Sequence, residues 1–359
     1  MWSFFSRDPT KDLPYEIKEP VSNTGPNLDQ ICPWKLHEGK KKPSGESVTV
    51  WIYEIQPGRE REVELVKASI KRLKTLRHPC VLTYLDSLET DKCVYLVTEE
   101  IIPLQAYLKD LQSSAQKELT LSWGIYQVTK CLSFLNNDAS LLHCNLHSGS
   151  VFVTMGGEWK LGGLEYMIPG SDYKNSAPSK FLHALQKYDP PEKLDLSKTR
   201  SITKWSGDIW TLGILIWEVF NGLLPKMNAL KDPGKIPKPL VPIYCELVSA
   251  NPSSRPNPAD VLDRSRRVGG YFRNELIDTV VFLEEITIKD SNEIAQFFSK
   301  LTSMLDTFPK DISKNKVLPH LLNAFEFGNA GSAVLAPLLK LGSHLDTAEY
   351  QLKIIPCIE

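Results

Sequence analysis

The chain has 359 residues, of which 42% are hydrophobic and 24% charged, and its formal net charge at pH 7 is −1. At about 150 residues per domain, this length predicts two or three domains, and the near-zero charge gives no overall attraction to nucleic acid or to an anionic membrane. Its seven cysteines include no C-x-x-C pair, which indicates reduced cysteines in a cytoplasmic protein. No apolar run approaches the ~18 residues of a membrane span, and the start, MWSFFSRDP, lacks the long apolar region of a secretory signal.

The N-terminal part is predicted to contain an extended arm, then strands and one helix. Residues 1–30 carry several prolines without sustained periodicity, which predicts the arm. The β-branched and aromatic run 48–55 ends in the turn signal QPG and predicts a strand. Apolar residues at helical spacing predict a helix over 62–76, which the RHP sequence ends. Two further strands are predicted over 81–85 and 93–98.

The chain becomes mainly helical from about residue 104. An amphipathic helix is predicted over 121–135, and it leads into the sequence HCNLH, which begins at His143. Two short apolar runs, 150–154 and 159–161, are separated by MGGE and predict a small β-hairpin.

The remaining sequence changes from loops to helices. A loop-rich stretch, 164–204, precedes 207–221, which is apolar on nearly all sides, as in a buried helix. Beyond about residue 270 only helices are predicted, and KVLPHL from Lys316 recurs 37 residues later as KIIPCI. This spacing is slightly shorter than the ~40–47 residues of HEAT repeats, and we expect the helical array to continue in a longer protein. The apolar residues predicted to form a repeat core are Phe297, Phe298, Leu301 and Met304.

Several short motifs, taken in this order, resemble the protein-kinase fold. They are the end of a regulatory helix (LKTLRHP), the start of a catalytic loop (HCN), an A-P-E-like element (PPE), the D-x-W-x-x-G of a buried helix (DIWTLG) and an arginine placed to pair with the glutamate of PPE. The resemblance predicts an α+β bilobal kinase-like domain over 31–265, after an arm (1–30) and before an all-α HEAT-repeat solenoid (266–359). The residues predicted to support this fold are His143, Glu192, Asp208, Trp210, Gly213 and Arg255.

The positions that carry phosphoryl transfer hold other residues. An active kinase uses a strand lysine, a helix glutamate, a catalytic aspartate, and an asparagine and an aspartate that bind Mg²⁺. In the same register this chain has, respectively, Trp51, Ser69, Asn145, Ser150 and, in place of D-F-G, Gly163-Leu164-Glu165. His147 lies inside the same loop, and LHEGKKKPSGES is predicted to replace the glycine-rich loop, keeping only Gly39 and Gly45. The sequence therefore predicts an inactive site with no cofactor and no metal.

These degenerate positions, together with MWSFFSRDP, KLGGLEYM and LNAFEFGNAGSAVL, resemble the SCY-like pseudokinase family. The resemblance implies a catalytically inactive scaffold in COPI-coated vesicle traffic from the Golgi to the endoplasmic reticulum. It implies COPI coat subunits, Arf-type small GTPases and self-association as interactions, without DNA. The implied localisation is cytoplasmic and peripheral at the Golgi and the ER–Golgi intermediate compartment, with indirect membrane association. In that family the coat-binding signal is a basic C-terminal motif, and we expect it to lie beyond residue 359.

Other hypotheses remain open from the residues alone. Glu165 and His147 in unorthodox roles would allow residual nucleotide binding or atypical kinase activity. A tRNA export carrier is a third hypothesis, since related fungal proteins are linked to that process, and it predicts steep salt dependence. A metal site would be conceivable at His143, Cys144 and His147, since histidine and cysteine are metal ligands. We favour ordinary structural roles for these three residues. For Glu165 a surface carboxylate is favoured over a metal ligand, and a solvated turn is favoured for Lys40–Lys42.

Overall fold

The computed structural model describes residues 13–25, 27–111, 115–174, 179–193, 202–327 and 331–358. The chain divides into two compact units, and the main change from one to the other falls at Arg264, next to the predicted boundary at 265. Unit 1 comprises Met1–Asp110, Gln127–Thr154 and Trp159–Asp263, and unit 2 comprises Leu111–Tyr126, Met155–Glu158 and Arg264–Glu359.

Unit 1 begins with a five-stranded antiparallel sheet and one long helix. The strands are β1 (Tyr15–Pro20), β2 (Lys35–Lys41), β3 (Ser47–Glu54), β4 (Tyr84–Glu89) and β5 (Cys93–Glu99), in the spatial order β1-β2-β3-β5-β4. A short helix, α1 (Leu28–Ile31), precedes β2, and α2 (Glu60–Thr75) connects β3 to β4. The predicted strand at 48–55 and the predicted helix at 62–76 are confirmed. The strand predicted over 81–85 begins only at Tyr84, because Val81 makes a single isolated bridge to Leu161.

The predicted N-terminal arm is wrong for its described part. Residues 15–20 form β1, which pairs with β2, and Leu13 and Tyr15 are buried in a cluster with Val48, Val50 and Val97. The alternation of apolar and polar residues in YEIK places Tyr15 and Ile17 on the buried face. The prolines misled the prediction because they precede or end the strand, where the missing N–H is tolerated. Residues 1–12, and with them MWSFFSRDP, lie outside the described residues.

The second half of unit 1 is mainly helical, with short strands near the loops. The strands are β6 (Ile101–Pro103), β7 (Leu141–Leu142), β8 (Val151–Thr154), β9 (Trp159–Leu161) and β10 (Ile168–Pro169), and β8 and β9 form the predicted hairpin. The helices are α3 (Leu104–Asp110), α4 (Ala115–Ser133), α5 (Ser206–Asn221), α6 (Val241–Leu247) and α7 (Pro258–Ser265), and the part of α4 up to Tyr126 belongs to unit 2. Every residue of α5 from Asp208 to Val219 is buried, as its apolar sequence predicts.

Unit 2 is rich in helices, and none of its described residues lies in a strand. Its helices are α8 (Glu275–Glu284), α9 (Ser291–Met304), α10 (Lys310–Ile312), α11 (Leu318–Phe327), α12 (Leu335–Gly342), α13 (Thr347–Lys353) and α14 (Ile355–Ile358). Of the predicted core residues, Phe298 and Leu301 are buried, and the Phe297 ring stacks on Phe282 with 4.0 Å between centroids. The helices agree with a solenoid, while the HEAT class stays a prediction. Part of LNAFEFGNAGSAVL, residues 328–330, lies outside the described residues.

Within the described residues, no helix is both long enough and apolar enough to cross a bilayer.

We predict that Tyr15→Ala lowers the free energy of unfolding of the full chain by about 3 kcal/mol, because truncating a buried aromatic side chain leaves a cavity. Urea denaturation followed by tryptophan fluorescence measures this loss. Glu19→Ala, on the exposed part of the same strand, is the matched control and should change it by less than about 0.5 kcal/mol. Equal losses for the two variants would show that β1 does not belong to the core.

Candidate functional site

The degenerate positions of unit 1 come together around one small cavity between the sheet and the helical part. Its lining includes Trp51 from β3, Ser69 from α2, and Asn145, Ser150 and 162–165 from the loops before β8 and after β9. The cavity measures about 20 Å³, which is room for about one water molecule. The sequence register thus identified one site in space, although the site is nearly full.

Trp51 fills part of this cleft. The side chain is 2% exposed, and its indole N–H donates to the Thr98 hydroxyl at 2.8 Å. Its ring lies edge-on to Phe152, with 4.8 Å between centroids. A lysine here would present an ammonium group, whereas Trp51 presents an apolar body whose one polar atom is already bonded.

The connection between β1 and β2 fills more of the cleft, and the sequence analysis missed it. Residues 31–34 of this connection line the cavity, and Ile31 approaches Gly149 so closely that a Cβ there would lie 2.5 Å from the Ile31 Cδ1 atom. The lysine-rich turn after Gly39, predicted to replace the glycine-rich loop, instead joins β2 to β3. Lys40–Lys42 are exposed and do not line the cavity, but only Lys42 lies in the turn, where it donates to the Leu13 carbonyl at 2.7 Å. Lys40 and Lys41 belong to β2 and pair with β1, so the preferred interpretation of a solvated turn is wrong for them.

Glu165 is buried, so the prediction of a surface carboxylate is wrong. It is 2% exposed, and its Oε1 atom accepts a hydrogen bond of 2.8 Å from the Trp34 indole. Arg72 donates to the backbone carbonyls of Leu164 and Glu165 at 2.5 and 3.0 Å, which fixes the segment. Burial raises the pKa of Glu165, while the hydrogen bond from Trp34 and the charge of Arg72 oppose that rise. The Oε2 atom of Glu165 is buried and has no hydrogen-bond partner among the described residues. Ser69, at the helix position where a kinase has glutamate, lines the same cavity.

Asp208 anchors the loop that begins at His143. Its Oδ2 atom accepts from the His143 N–H and from the Asn136 amide, and its Oδ1 atom accepts from the Cys144 N–H, each at 2.8 Å. Cys144 has a φ of 61°, a left-handed conformation that is costly without such anchoring. Asp208 is therefore a structural residue that holds three donors.

His143 has both ring nitrogens engaged. Nδ1 accepts from the Asn145 N–H at 3.2 Å, so the ring proton lies on Nε2, which donates to the Gly162 carbonyl at 2.8 Å. Burial lowers the pKa of His143. The side chain acts as a structural link between the two loops, and no group of three His, Cys, Asp or Glu side chains within the described ranges is arranged to hold a metal ion.

Gly163 is the position where an active kinase has its metal-binding aspartate. Its φ is 68°, and a Cβ at this position would lie 2.7 Å from the Cβ of Ser150 and 3.1 Å from the Asn145 amide nitrogen. That amide donates to the Gly163 carbonyl at 3.2 Å. The local backbone therefore favours glycine, both by its conformation and by the contact with Ser150.

His147 and Ser150 complete a buried turn. Ser150 Oγ accepts from the His147 N–H at 3.0 Å and donates to the His147 carbonyl at 2.9 Å. The His147 ring stacks on Tyr188 at 4.7 Å, and its Nδ1 atom accepts from the Gly149 N–H. Burial, with Lys180 nearby, lowers the pKa of His147 well below its ordinary value. The imidazole is therefore neutral at pH 7.

Glu218 is a buried residue that the sequence analysis did not identify. Its Oε2 atom accepts from the Ser148 hydroxyl at 2.6 Å, and its Oε1 atom accepts from the Tyr188 hydroxyl at 2.9 Å and the Leu224 N–H at 3.0 Å. The available signal was a single carboxylate inside the apolar helix sequence GILIWEVFN, because a buried charge needs partners.

The predicted pairing of Glu192 with Arg255 is present. The two side chains form a two-pronged ion pair with N–O distances of 2.6 and 2.8 Å, and both are buried. Arg255 also donates to the Ser206 carbonyl and lies over the Trp210 ring at 5.0 Å. Gly213 lies on the same helix, α5, where a Cβ would lie 2.6 Å from the Val248 side chain. These residues join the loop before α5 to the helices after it.

Comparison with known proteins agrees with the kinase-like fold that the sequence motifs predict. A family model described as "Protein tyrosine and serine/threonine kinase" matches residues 32–238, more than half of the chain. Over 90% of the chain, 39% of residues are identical to the probable inactive serine/threonine-protein kinase scy1 of Dictyostelium discoideum. The chain is 30% identical, over 79% of its length, to the mouse protein that is named Protein-associating with the carboxyl-terminal domain of ezrin. It is 23% identical, over 91% of its length, to the protein kinase-like protein SCY1 of Saccharomyces cerevisiae. The resemblance to SCY-like proteins is confirmed, and the chain spans 39%, 36% and 49% of the length of these relatives.

We predict that Arg255→Met lowers the free energy of unfolding by about 3–5 kcal/mol, because it leaves the Glu192 carboxylate buried without its cation. Chemical denaturation of the full chain measures the change. Lys35→Met removes one member of the exposed Lys35–Glu54 pair and should cost less than about 1 kcal/mol. Similar losses in the two variants would contradict a structural role for the buried pair.

Proposed function

The chain belongs to the protein-kinase family, and from that premise we propose that it is a pseudokinase scaffold that does not transfer phosphate. The name of the Dictyostelium relative, a probable inactive kinase, supports this proposal. The remaining support comes from the geometry and charge of the cleft.

The size and charge of the cleft are the observation that carries the proposal. Its cavity is about 20 Å³, whereas pockets for small-molecule ligands have about 300–1,000 Å³. The described residues that line it include one acidic residue, Glu165, and no lysine, arginine or histidine. A nucleoside triphosphate needs cations around its phosphates, because lysine, arginine or Mg²⁺ must stabilise their negative charge in a closed site. The cleft thus lacks both the space and the charge for that ligand.

The loops argue against phosphoryl transfer as well. An amide such as Asn145 does not accept a proton near neutral pH, so it does not replace a catalytic carboxylate. Gly163 has no side chain that could bind Mg²⁺, and a side chain at this position would approach Ser150 too closely. Glu165 belongs to no group of three His, Cys, Asp or Glu side chains within the described residues that is arranged to hold a metal ion.

The finer part of the proposal is a role in membrane traffic. Its support is the resemblance to SCY-like proteins, from which we propose regulation of COPI-dependent transport from the Golgi to the endoplasmic reticulum. The mouse relative is named for association with another protein, which suits a scaffold. We propose Arf-type small GTPases and COPI coat subunits as partners, with a peripheral location on the cytoplasmic side of the Golgi. Stacked helices in unit 2 would expose long surfaces for such contacts.

We predict that ATP leaves the thermal unfolding midpoint of the chain unchanged within about 1 °C, with and without Mg²⁺, since only a ligand that binds the native state raises stability. Differential scanning fluorimetry at millimolar ATP, beside an active kinase as the positive control, measures this. Adding Asn145→Asp and Gly163→Asp should lower the midpoint without producing a shift by ATP.

A reproducible ATP shift in the unmodified chain would contradict the proposal and favour a nucleotide sensor. If that shift required Mg²⁺, Glu165→Gln would test whether this carboxylate holds the metal. A shift in the active kinase together with none in the chain separates true lack of binding from a failed assay.

We predict that the chain binds an Arf-type GTPase at least about tenfold more tightly in its GTP-loaded form than in its GDP-loaded form, because the switch segments of a GTPase are ordered by the γ-phosphate. Biolayer interferometry with the full chain immobilised measures both affinities. Equal binding of the two forms, or none, would contradict this choice of partner while leaving the conclusion about the cleft untouched.

A further inference from the structure

A second cavity lies outside the cleft, where α2 ends and β4 begins. It has a volume of about 340 Å³ and opens to the surface. We propose that this groove between α2 and β4, formed by residues 73–84, binds a peptide segment that presents one apolar side chain beside carboxylates. The inference goes beyond the proposed function, because it holds whether or not the cleft binds a nucleotide.

The floor of the groove is apolar and its backbone is fixed. Leu73, Val81 and Leu82 line it and are buried, and Leu76 and Tyr84 are partly exposed. The Leu82 N–H donates to the Leu161 carbonyl at 3.1 Å, and the Leu161 N–H donates to the Cys80 carbonyl at 2.7 Å. A groove that is held in this way needs little ordering when a ligand binds.

Two further contacts hold the rim in place. The His78 ring stacks on Phe134 with 4.3 Å between centroids, and the Thr83 N–H donates to the Glu99 carboxylate at 2.8 Å. Burial, with Lys130 and Lys160 nearby, lowers the pKa of His78, so its ring is neutral at pH 7. The side chain of Thr83 remains exposed at the mouth of the groove.

The two charged side chains that line the groove are both basic. Lys74 and Arg77 line the groove with exposed side chains, and no acidic residue is present among the described residues that form it. Lys74 lies over the Tyr84 ring at 5.0 Å, and Arg77 makes no ion pair within the part of the chain that the structure describes. A carboxylate from a partner would therefore meet two cations that make no ion pair within the described residues.

The helix dipole accounts for only part of this pattern. Cations near a helix C-terminus are favourable by themselves, by about 0.3–1 kcal/mol each. That effect explains why the last turns of α2 are basic, while its first turn carries Glu60 and Glu62. It does not explain an apolar cavity directly beside those cations. We therefore infer that the apolar cavity and the adjacent cations together bind a ligand.

A peptide fits this shape better than a lipid. The volume falls at the lower end of the ~300–1,000 Å³ found for ligand pockets, which suits one anchoring side chain. An acyl chain needs a longer enclosed tunnel, whereas this groove is open and has the polar Thr83 at its mouth. Buried aromatic or aliphatic anchors with charged groups at the rim are the usual arrangement in peptide interfaces.

The test uses fluorescence anisotropy of the full chain with short synthetic peptides. Each peptide carries a central Phe, Leu or Trp flanked by an increasing number of glutamates. Matched series replace the apolar residue by Ser or the glutamates by Lys. We expect affinity to rise with the number of glutamates and to fall at least about tenfold in the Ser and Lys series.

Three variants assign the binding to the groove. Thr83→Trp, which fills the groove from an exposed position, should weaken binding at least about tenfold, and the double variant Lys74→Glu with Arg77→Glu should weaken it by a similar factor. Lys71→Glu, one turn earlier on the exposed side of α2, is the matched control and should change it less than about twofold. Unchanged unfolding midpoints verify that each variant is folded.

Several outcomes would overturn the proposal. The first is that no peptide of the series binds at ~1 mM. The second is that Thr83→Trp leaves the peptide affinity unchanged. The third is that Lys71→Glu lowers the affinity as much as the double variant does. A further arm uses vesicles with and without phosphatidylserine. Vesicle binding that needs Lys74 and Arg77 but tolerates Thr83→Trp, in the absence of peptide binding, would assign the surface to a membrane instead.

Discussion

The structure of the former catalytic loop depends on one buried carboxylate, that of Asp208. It receives two consecutive backbone N–H groups, from His143 and Cys144, and the amide of Asn136. Without these acceptor atoms the left-handed backbone at Cys144 and the buried N–H groups would have to be stabilised in another way. Because Asp208 belongs to the first turn of α5, the most buried helix of unit 1, the loop position is tied to the core.

This arrangement shows why the architecture of a kinase survives without its chemistry. The groups that hold the loops are Asp208, His143, and the pair Glu192–Arg255, and their partners are backbone atoms, the Asn136 amide or each other. Substitutions at the chemical positions therefore leave the supporting contacts intact, and the contents of the cleft can change independently of its walls.

Part of the fold and of the site could be predicted from the sequence because those features depend on local patterns. The strand β3 and the helix α2 follow from periodicity, and the positions of Asn145, Gly163 and Glu192 follow from spacing within motifs. The contact between Trp34 and Glu165 joins residues 131 positions apart, so no local pattern predicts it. The same limit explains the errors at β1 and Glu165: a short proline-flanked segment and a single carboxylate show their burial only when the distant partner is known.

The filled cleft also has an energetic consequence. An active site keeps like charges and empty volume together, which costs stability that functional proteins must offset elsewhere. In this chain the apolar bodies of Trp51, Trp34 and Ile31 occupy that volume, and the Glu165 carboxyl group accepts a hydrogen bond from the Trp34 indole. Each such substitution adds packing where a kinase must stay open. Phosphoryl transfer in this cleft would thus require emptying it as well as introducing several charged residues, and the backbone at Gly163 opposes an aspartate at that position. In the proposed pseudokinase, the packing of the cleft therefore opposes phosphoryl transfer independently of the residues at the chemical positions.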